Sequence, residues 1–231
     1  STIFRKRVEM KSFDETWEKI HAEREWGKYP SEHVIRFVAR NYYKSDRKNT
    51  KALDIGCGAG ANTWFLAREG FDVYAFDGSK SAIGRVKTLL SKDNLTANLK
   101  VCDAIEMDYP NDYFDFAIDN FSICCKMLEC IEDIYKRIFN ILKIGGGGGL
   151  LVANFTTKTT GEELGDRIEK NTNTNISSGP LKNKGVIHFS SNDEITSILK
   201  RVGFIVTSVD FLSYSDSENI VDALITIAKK P

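Results

Sequence analysis

Lys51 to Asp77 reads KALDIGCGAGANTWFLAREGFDVYAFD, and this stretch decides the fold. Ala52, Leu53 and Ile55 make a short buried strand with Asp54 near its end. Gly56, Gly58 and Gly60 follow at alternate positions. The pattern predicts a helix over Asn62 to Glu69, with Trp64, Phe65 and Leu66 as its apolar residues, stopped by Gly70. Val73 to Phe76 then form a second strand that ends in Asp77. Strand, glycine turn, helix, strand and acid together indicate a nucleotide-type ligand at the edge of a parallel sheet.

The residue types fit that chemistry. Glycines permit positive φ and let a ligand approach the backbone. Free N–H groups at the helix start favour an anionic group. A carboxylate at the position of Asp77 can take both hydroxyls of a ribose. Gly56-x-Gly58-x-x-Ala61 also fits the looser dinucleotide pattern. Asp54 points the other way. A diphosphate would be repelled by a carboxylate two residues before the first glycine, whereas an ammonium or sulfonium would be attracted.

LDIGCGAG, residues 53–60, resembles motif I of class I S-adenosylmethionine-dependent methyltransferases, and the resemblance runs roughly from Lys51 to Lys229. It implies an α/β, Rossmann-like fold. The sheet would be seven-stranded and mostly parallel, in the order 3-2-1-4-5-7-6, with a C-terminal antiparallel hairpin and helices on both faces. It implies S-adenosyl-L-methionine as cofactor, S-adenosyl-L-homocysteine as product, and a small-molecule acceptor. The backbone at Gly56, Cys57, Gly58 and Gly60 would hold the methionine part, with Asp54 supporting its ammonium directly or through the turn. Asp77, Gly78 and Ser79 would meet the ribose; Cys102, Asp103 and Ala104 the adenine; Asn120 and Phe121 the region of the methyl group. The resemblance also makes residues 1–49 a helical lid, with Trp17, Trp26 and Tyr29 as contacts to cofactor or acceptor. Residues 50–155 would be the cofactor-binding core, 156–190 a substrate-recognition insertion, and 191–231 a helix plus the terminal hairpin of one domain. If the acceptor must lose a proton, His188 is the first candidate base and His21 the second. No metal site is expected.

Bulk properties bound the partners. The 231 residues carry no net formal charge and 42% hydrophobic residues, enough for a packed core and without a global basic field for nucleic acid. Charge is uneven: Asp103 to Asp133 holds nine acids against one lysine. Five cysteines without metal-ligand spacing suggest free thiols in a reducing cytoplasm. The opening STIFRKRVEMK is polar and lacks the apolar core of a secretory signal. No run reaches the ~18 apolar residues of a membrane span.

The remaining elements follow from periodicity. Helices are expected over Phe13 to Glu25, from a cap at Ser31 to Tyr42, over Ser79 to Leu90 and over Met127 to Leu142. Further strands are expected at Asn98 to Cys102, Tyr113 to Ile123 and Leu150 to Phe155. Of the glycine run 145–149, turn chemistry accounts for two residues. Thr156 to Ile187 is polar and turn-rich, with a short helix expected at Gly161 to Lys170. Ser191-x-x-Glu194 is a capping box for a helix to Arg201. Phe204 to Leu212 and Ile220 to Ala228 alternate as strands, joined by a turn at Ser213 to Asn219. A nicotinamide-dinucleotide oxidoreductase, which would be expected to continue as βαβ here, stays open as an alternative. So does a binding module that holds the cofactor without catalysis.

Overall fold

The structure is a computed structural model that describes residues 11–145 and 148–231. The polar start at 1–10 and glycines 146 and 147 lie outside the described residues. Strands β1 (Lys51–Ile55), β2 (Asp72–Asp77), β3 (Asn98–Val101), β4 (Phe116–Asn120) and β5 (Gly149–Phe155) are parallel. Between them run α3 (Ala61–Arg68), α4 (Lys80–Lys92) and α5 (Leu128–Ile141). A small sheet of β6 (Asp166–Glu169), β7 (Thr172–Thr174) and β8 (Ile187–His188) interrupts the chain, followed by α6 (Asn192–Val202). The long strands β9 (Ile205–Asp216) and β10 (Asn219–Lys229) close it. The main sheet has seven strands in the order β3-β2-β1-β4-β5-β10-β9, with β10 antiparallel to both neighbours. This is the order that the motif implied.

Each face of the sheet is covered. Leu53, Ile55 and Ala117 meet Ile131, Ile134, Tyr135 and Ile138 of α5 and Ile195 and Leu199 of α6. On the opposite face Ala52, Phe116, Ile118 and Leu151 meet Leu66 of α3 and Val34, Phe37 and Val38 of α2 (Glu32–Tyr42). The alternation of β1 and β4 therefore feeds two half-cores, one per face. Because β1 lies between β2 and β4, the strand order reverses there. The crevice at the carboxyl ends of these strands is where such sheets take ligands.

Several expectations shift. The first helix is only α1 (Thr16–Glu23), since Phe13 and Asp14 are drawn into other contacts. Ser31 starts α2 through its carbonyl, not its side chain. The fourth strand shortens to Phe116–Asn120 because Phe114 bridges to Leu142 instead. Gly161 to Lys170 is not a helix: a single turn at Glu162–Leu164 leads into β6, which pairs with β7. The terminal hairpin is longer than its hydrophobic pattern, turning at Ser217 with φ +56°. Three residues of the glycine run gain reasons. Gly145 has φ +81°, and a Cβ on Gly148 or Gly149 would lie 2.3 Å from the Lys143 carbonyl oxygen or 2.0 Å from the Tyr42 hydroxyl.

Ile118 lies on the central strand β4 with no exposed surface. Ile118→Ala should cost about 2–5 kcal/mol in urea denaturation; a cost under about 1 kcal/mol would mean that this half of the core repacks freely.

Candidate functional site

The glycine turn is built by backbone geometry. Gly56, Gly58 and Gly60 have φ of +58°, +52° and +94°, a region that side-chain-bearing residues rarely adopt. Position 56 is also closed sterically: a Cβ there would lie 1.8 Å from Ser122 Oγ, so the loop after β4 presses on the turn after β1.

Two acids hold this turn in place. Asp77 Oδ2 accepts from the Gly58 N–H at 2.9 Å and its Oδ1 from the Ser79 N–H at 2.8 Å. Ser79 Oγ in turn caps α4 by accepting from the Ala82 N–H at 2.9 Å. Asp54 is fully buried and accepts from Thr63 Oγ1 at 2.6 Å, which ties β1 to the first turn of α3. Asp54 does not line the cavity. Its charge acts from beneath the turn, and burial pushes its carboxyl up to about 6.

The cavity above the turn has a volume of about 320 Å³. Gly56, Cys57, Gly58, Gly60, Asp77, Gly78, Cys102, Ala104, Asn120 and Phe121 all line it. So do Trp17, Trp26 and Tyr29, which places the aromatic residues of the N-terminal segment over the strand tips. That segment is moored to α4. Glu18 accepts from the Ser81 hydroxyl at 2.5 Å, and Arg85 donates to the carbonyls of His21 and Ala22.

Asp103 is engaged by the chain itself. Its carboxylate accepts from the N–H groups of Ser12 (2.6 Å), Phe13 (2.7 Å) and Ile105 (3.2 Å) and from the Ser12 hydroxyl. Burial opposes the charge, but these bonds outweigh it and hold the carboxyl below the usual carboxylate range. The Phe13 ring packs over Gly78, where a Cβ would lie 2.2 Å from the ring.

At the tip of β4, Asn120 Oδ1 lies 2.7 Å from His33 Nε2, so the imidazole of α2 orients the amide. Phe121 adopts φ +60°, which is strained for an aromatic residue. It stacks on Phe155 with ring centroids 4.4 Å apart. Just before it, Asp119 is fully buried and accepts from the Ser122 and Ile123 N–H groups and the Tyr135 hydroxyl. The strained turn is therefore fixed from inside the core.

His188 does not reach the cavity. It is fully buried, with Nδ1 2.7 Å from Thr172 Oγ1 and Nε2 2.8 Å from Glu194 Oε2. One ring nitrogen is spent within the small sheet and the other on joining it to α6, which leaves none for an acceptor. His21 does line the cavity, set between the tilted rings of Trp17 and Trp26, and its buried Nδ1 has no partner among the described residues. Burial holds its pKa below the ordinary histidine value, so the ring is neutral near pH 7.

Residues 52–146 match the protein family described as "Methyltransferase domain". Over this stretch, which is under half of the chain, the protein is similar to a methyltransferase domain. Its relatives include a ubiquinone biosynthesis O-methyltransferase of Rickettsia typhi, 26% identical over 55% of this chain and 49% of that protein. The chain thus spans about half the length of that relative. Among solved structures, a SAM-dependent methyltransferase from Methanosarcina mazei superposes with a TM-score of 0.68 at 21% identity, covering 79% of this chain and 93% of the other. The 1,6-didemethyltoxoflavin-N1-methyltransferase of Burkholderia thailandensis, solved with its acceptor and S-adenosylhomocysteine, does so with 0.63 at 17% identity, covering 86% and 78%. These structural likenesses carry the fold of the methyltransferase domain.

The sequence reading missed Cys125, Lys126, Phe155, Leu181, Lys184 and Ile187, which also line the cavity. Only Lys126 carried a signal, as the one lysine within the acidic stretch Asp103 to Asp133.

The raised pKa of Asp54 makes a signed prediction. The folded state holds a proton that the unfolded chain releases from about pH 4, so the stability linked to Asp54 falls as pH rises from about 4 to 6. Relative to wild type, Asp54→Asn should gain about 1–2 kcal/mol between pH 4 and pH 7 in urea denaturation. A difference that is the same at both pH values would contradict a buried, proton-hungry Asp54.

Proposed function

We propose that the protein transfers the methyl group of S-adenosylmethionine to a small-molecule acceptor. The observation that carries this reading is Asp77, a carboxylate at the tip of β2 that faces a cavity floored by the positive-φ glycine turn. Buried Asp54 beneath that turn favours a cationic ligand over a diphosphate, and the antiparallel β9–β10 pair departs from the βαβ continuation of a dinucleotide enzyme. The family match over residues 52–146 supports the same choice.

The residues present fit such a cofactor. The backbone of Gly56, Gly58 and Gly60 would take its amino-acid part, and Asp77 its ribose hydroxyls. Ala104 and Cys102, which line the cavity, would meet its adenine. For Asp103 to accept from an adenine amino group, the Ser12–Phe13 segment must release at least one of its donors. The sulfonium, when bound, supplies an already activated methyl group. The protein's contribution is then alignment, which can lower a barrier by about 7–11 kcal/mol. Asn120, fixed by His33, and the strained Phe121 shape the wall where an acceptor would approach. Trp17, Trp26 and Tyr29 line the cavity from the N-terminal segment and would contact the cofactor or acceptor. Where an acceptor must lose a proton, His21, the imidazole that lines the cavity, would be the base.

Calorimetry tests the reading. The protein should bind S-adenosylhomocysteine saturably and NAD not at all. Asp77→Ala should weaken the former by about 10–100-fold, the loss expected for a charged hydrogen-bonding partner. Saturable NAD binding with none for the thioether would replace this reading with the oxidoreductase.

A further inference from the structure

Beyond the cofactor half, the cavity has a second wall of different chemistry. Trp17, Phe121 and Phe155 pack against an apolar cluster that includes Cys125, Leu181 and Ile187. All six line the cavity, so this half is apolar and partly aromatic. Two lysines are set into it. Lys126 follows Cys125 and is 7% exposed; Lys184 lies on the loop between Leu181 and Ile187 and is half-buried.

Neither lysine makes an ion pair among the described residues. The acids nearest Lys126 are already occupied. Asp103 accepts from Ser12, Phe13 and Ile105, and Asp119 from Ser122, Ile123 and Tyr135. Asp14 accepts from the N–H groups of Thr16 and Val186. The one acid in the cavity wall, Asp77, belongs to the glycine turn. Lys126 keeps only a contact with the Phe13 ring, 5.5 Å from its centroid. Lys184 has Arg24 as its charged neighbour, and burial, then that arginine, hold its ammonium below the usual lysine value. Withdrawing cations from water without anionic partners is costly, and an anion entering the cavity would offset that cost.

We propose that the acceptor is an organic anion with a flat apolar body, its body against Trp17, Phe121 and Phe155 and its carboxylate or similar group between Lys126 and Lys184. The assignment rests on the methyl-transfer reading and narrows its substrate class. Lys126 and Lys184 are then specificity-determining residues that select charge, while the aromatic wall selects shape. A cationic amine is disfavoured at this end of the cavity.

The test uses three matched probes: 1-naphthoate, 1-naphthamide and 1-naphthylmethylamine. Each is titrated calorimetrically into the full chain with saturating S-adenosylhomocysteine. Naphthoate should bind about 10-fold more tightly than the amide, and the amine more weakly still. Lys184→Gln and Lys126→Gln should each remove most of the preference for naphthoate over the amide, and Lys184→Arg should restore it. S-adenosylhomocysteine affinity should be unchanged in Lys184→Gln, which reports an intact fold and cofactor site. Equal affinity for naphthoate and amide would overturn the assignment. So would a preference that survives both glutamine substitutions, or no binding of any probe while the thioether binds. If wild type fails to bind S-adenosylhomocysteine, the methyl-transfer reading falls, and the charge preference measured without it decides the anion site alone.

Discussion

One carboxylate organises the ligand end of the sheet. Asp77 ends β2, receives the Gly58 N–H of the turn after β1, and receives the Ser79 N–H that opens α4. Two βα connections are thereby fixed to each other. The turn can adopt its left-handed conformation because glycine tolerates it, and it keeps that conformation because Asp77 binds it from the neighbouring strand. Ser122 closes the remaining side, where its hydroxyl fills the space that any Cβ on Gly56 would need. Strand tips β1, β2 and β4 thus form one rigid rim, and loops can vary around it without disturbing the floor of the cavity.

The lid and the insertion have a different physical character. Each is attached at a few polar points to the frame. Glu18 to Ser81 and the His21 carbonyl to Arg85 moor the lid; His188 to Glu194 moors the small sheet. Trp17 joins the two by packing on the cluster of Leu181, Ile187 and Phe189. Ser12 and Phe13 engage Asp103, so this carboxylate between the cavity-lining Cys102 and Ala104 serves as an anchor for the lid. A ligand that drew on Asp103 would loosen that anchor.

The buried acids show how burial and partners divide the work. Asp54 and Asp119 are both pushed up to about 6 by burial, yet each keeps donors from the element it must hold. Asp103 is also buried but goes the other way, because three N–H groups and a hydroxyl converge on it. Lys126 and Lys184 lack such partners among the described residues, and that is what separates the far wall of the cavity from the wall formed by the glycine turn.

Much was legible in the chain. The alternation of apolar residues in β1 to β5, the glycine spacing and the acid after β2 are local signals. They determined the parallel-sheet class and the location of the cavity floor, because backbone φ and strand burial are written in single residues and their immediate neighbours, while the strand order came from the resemblance of residues 53–60 to motif I. Tertiary structure alone decided the rest. His188 stands in the right segment of the sequence, but its two nitrogens meet Thr172 and Glu194. Gly161 to Lys170 has a helical composition, but pairing with Thr172–Thr174 made it a turn and an exposed strand. Lys184 and Phe155 entered the cavity through contacts between segments far apart in the chain. Such contacts depend on which groups find partners, and a side chain's sequence does not state whether its charge will be met.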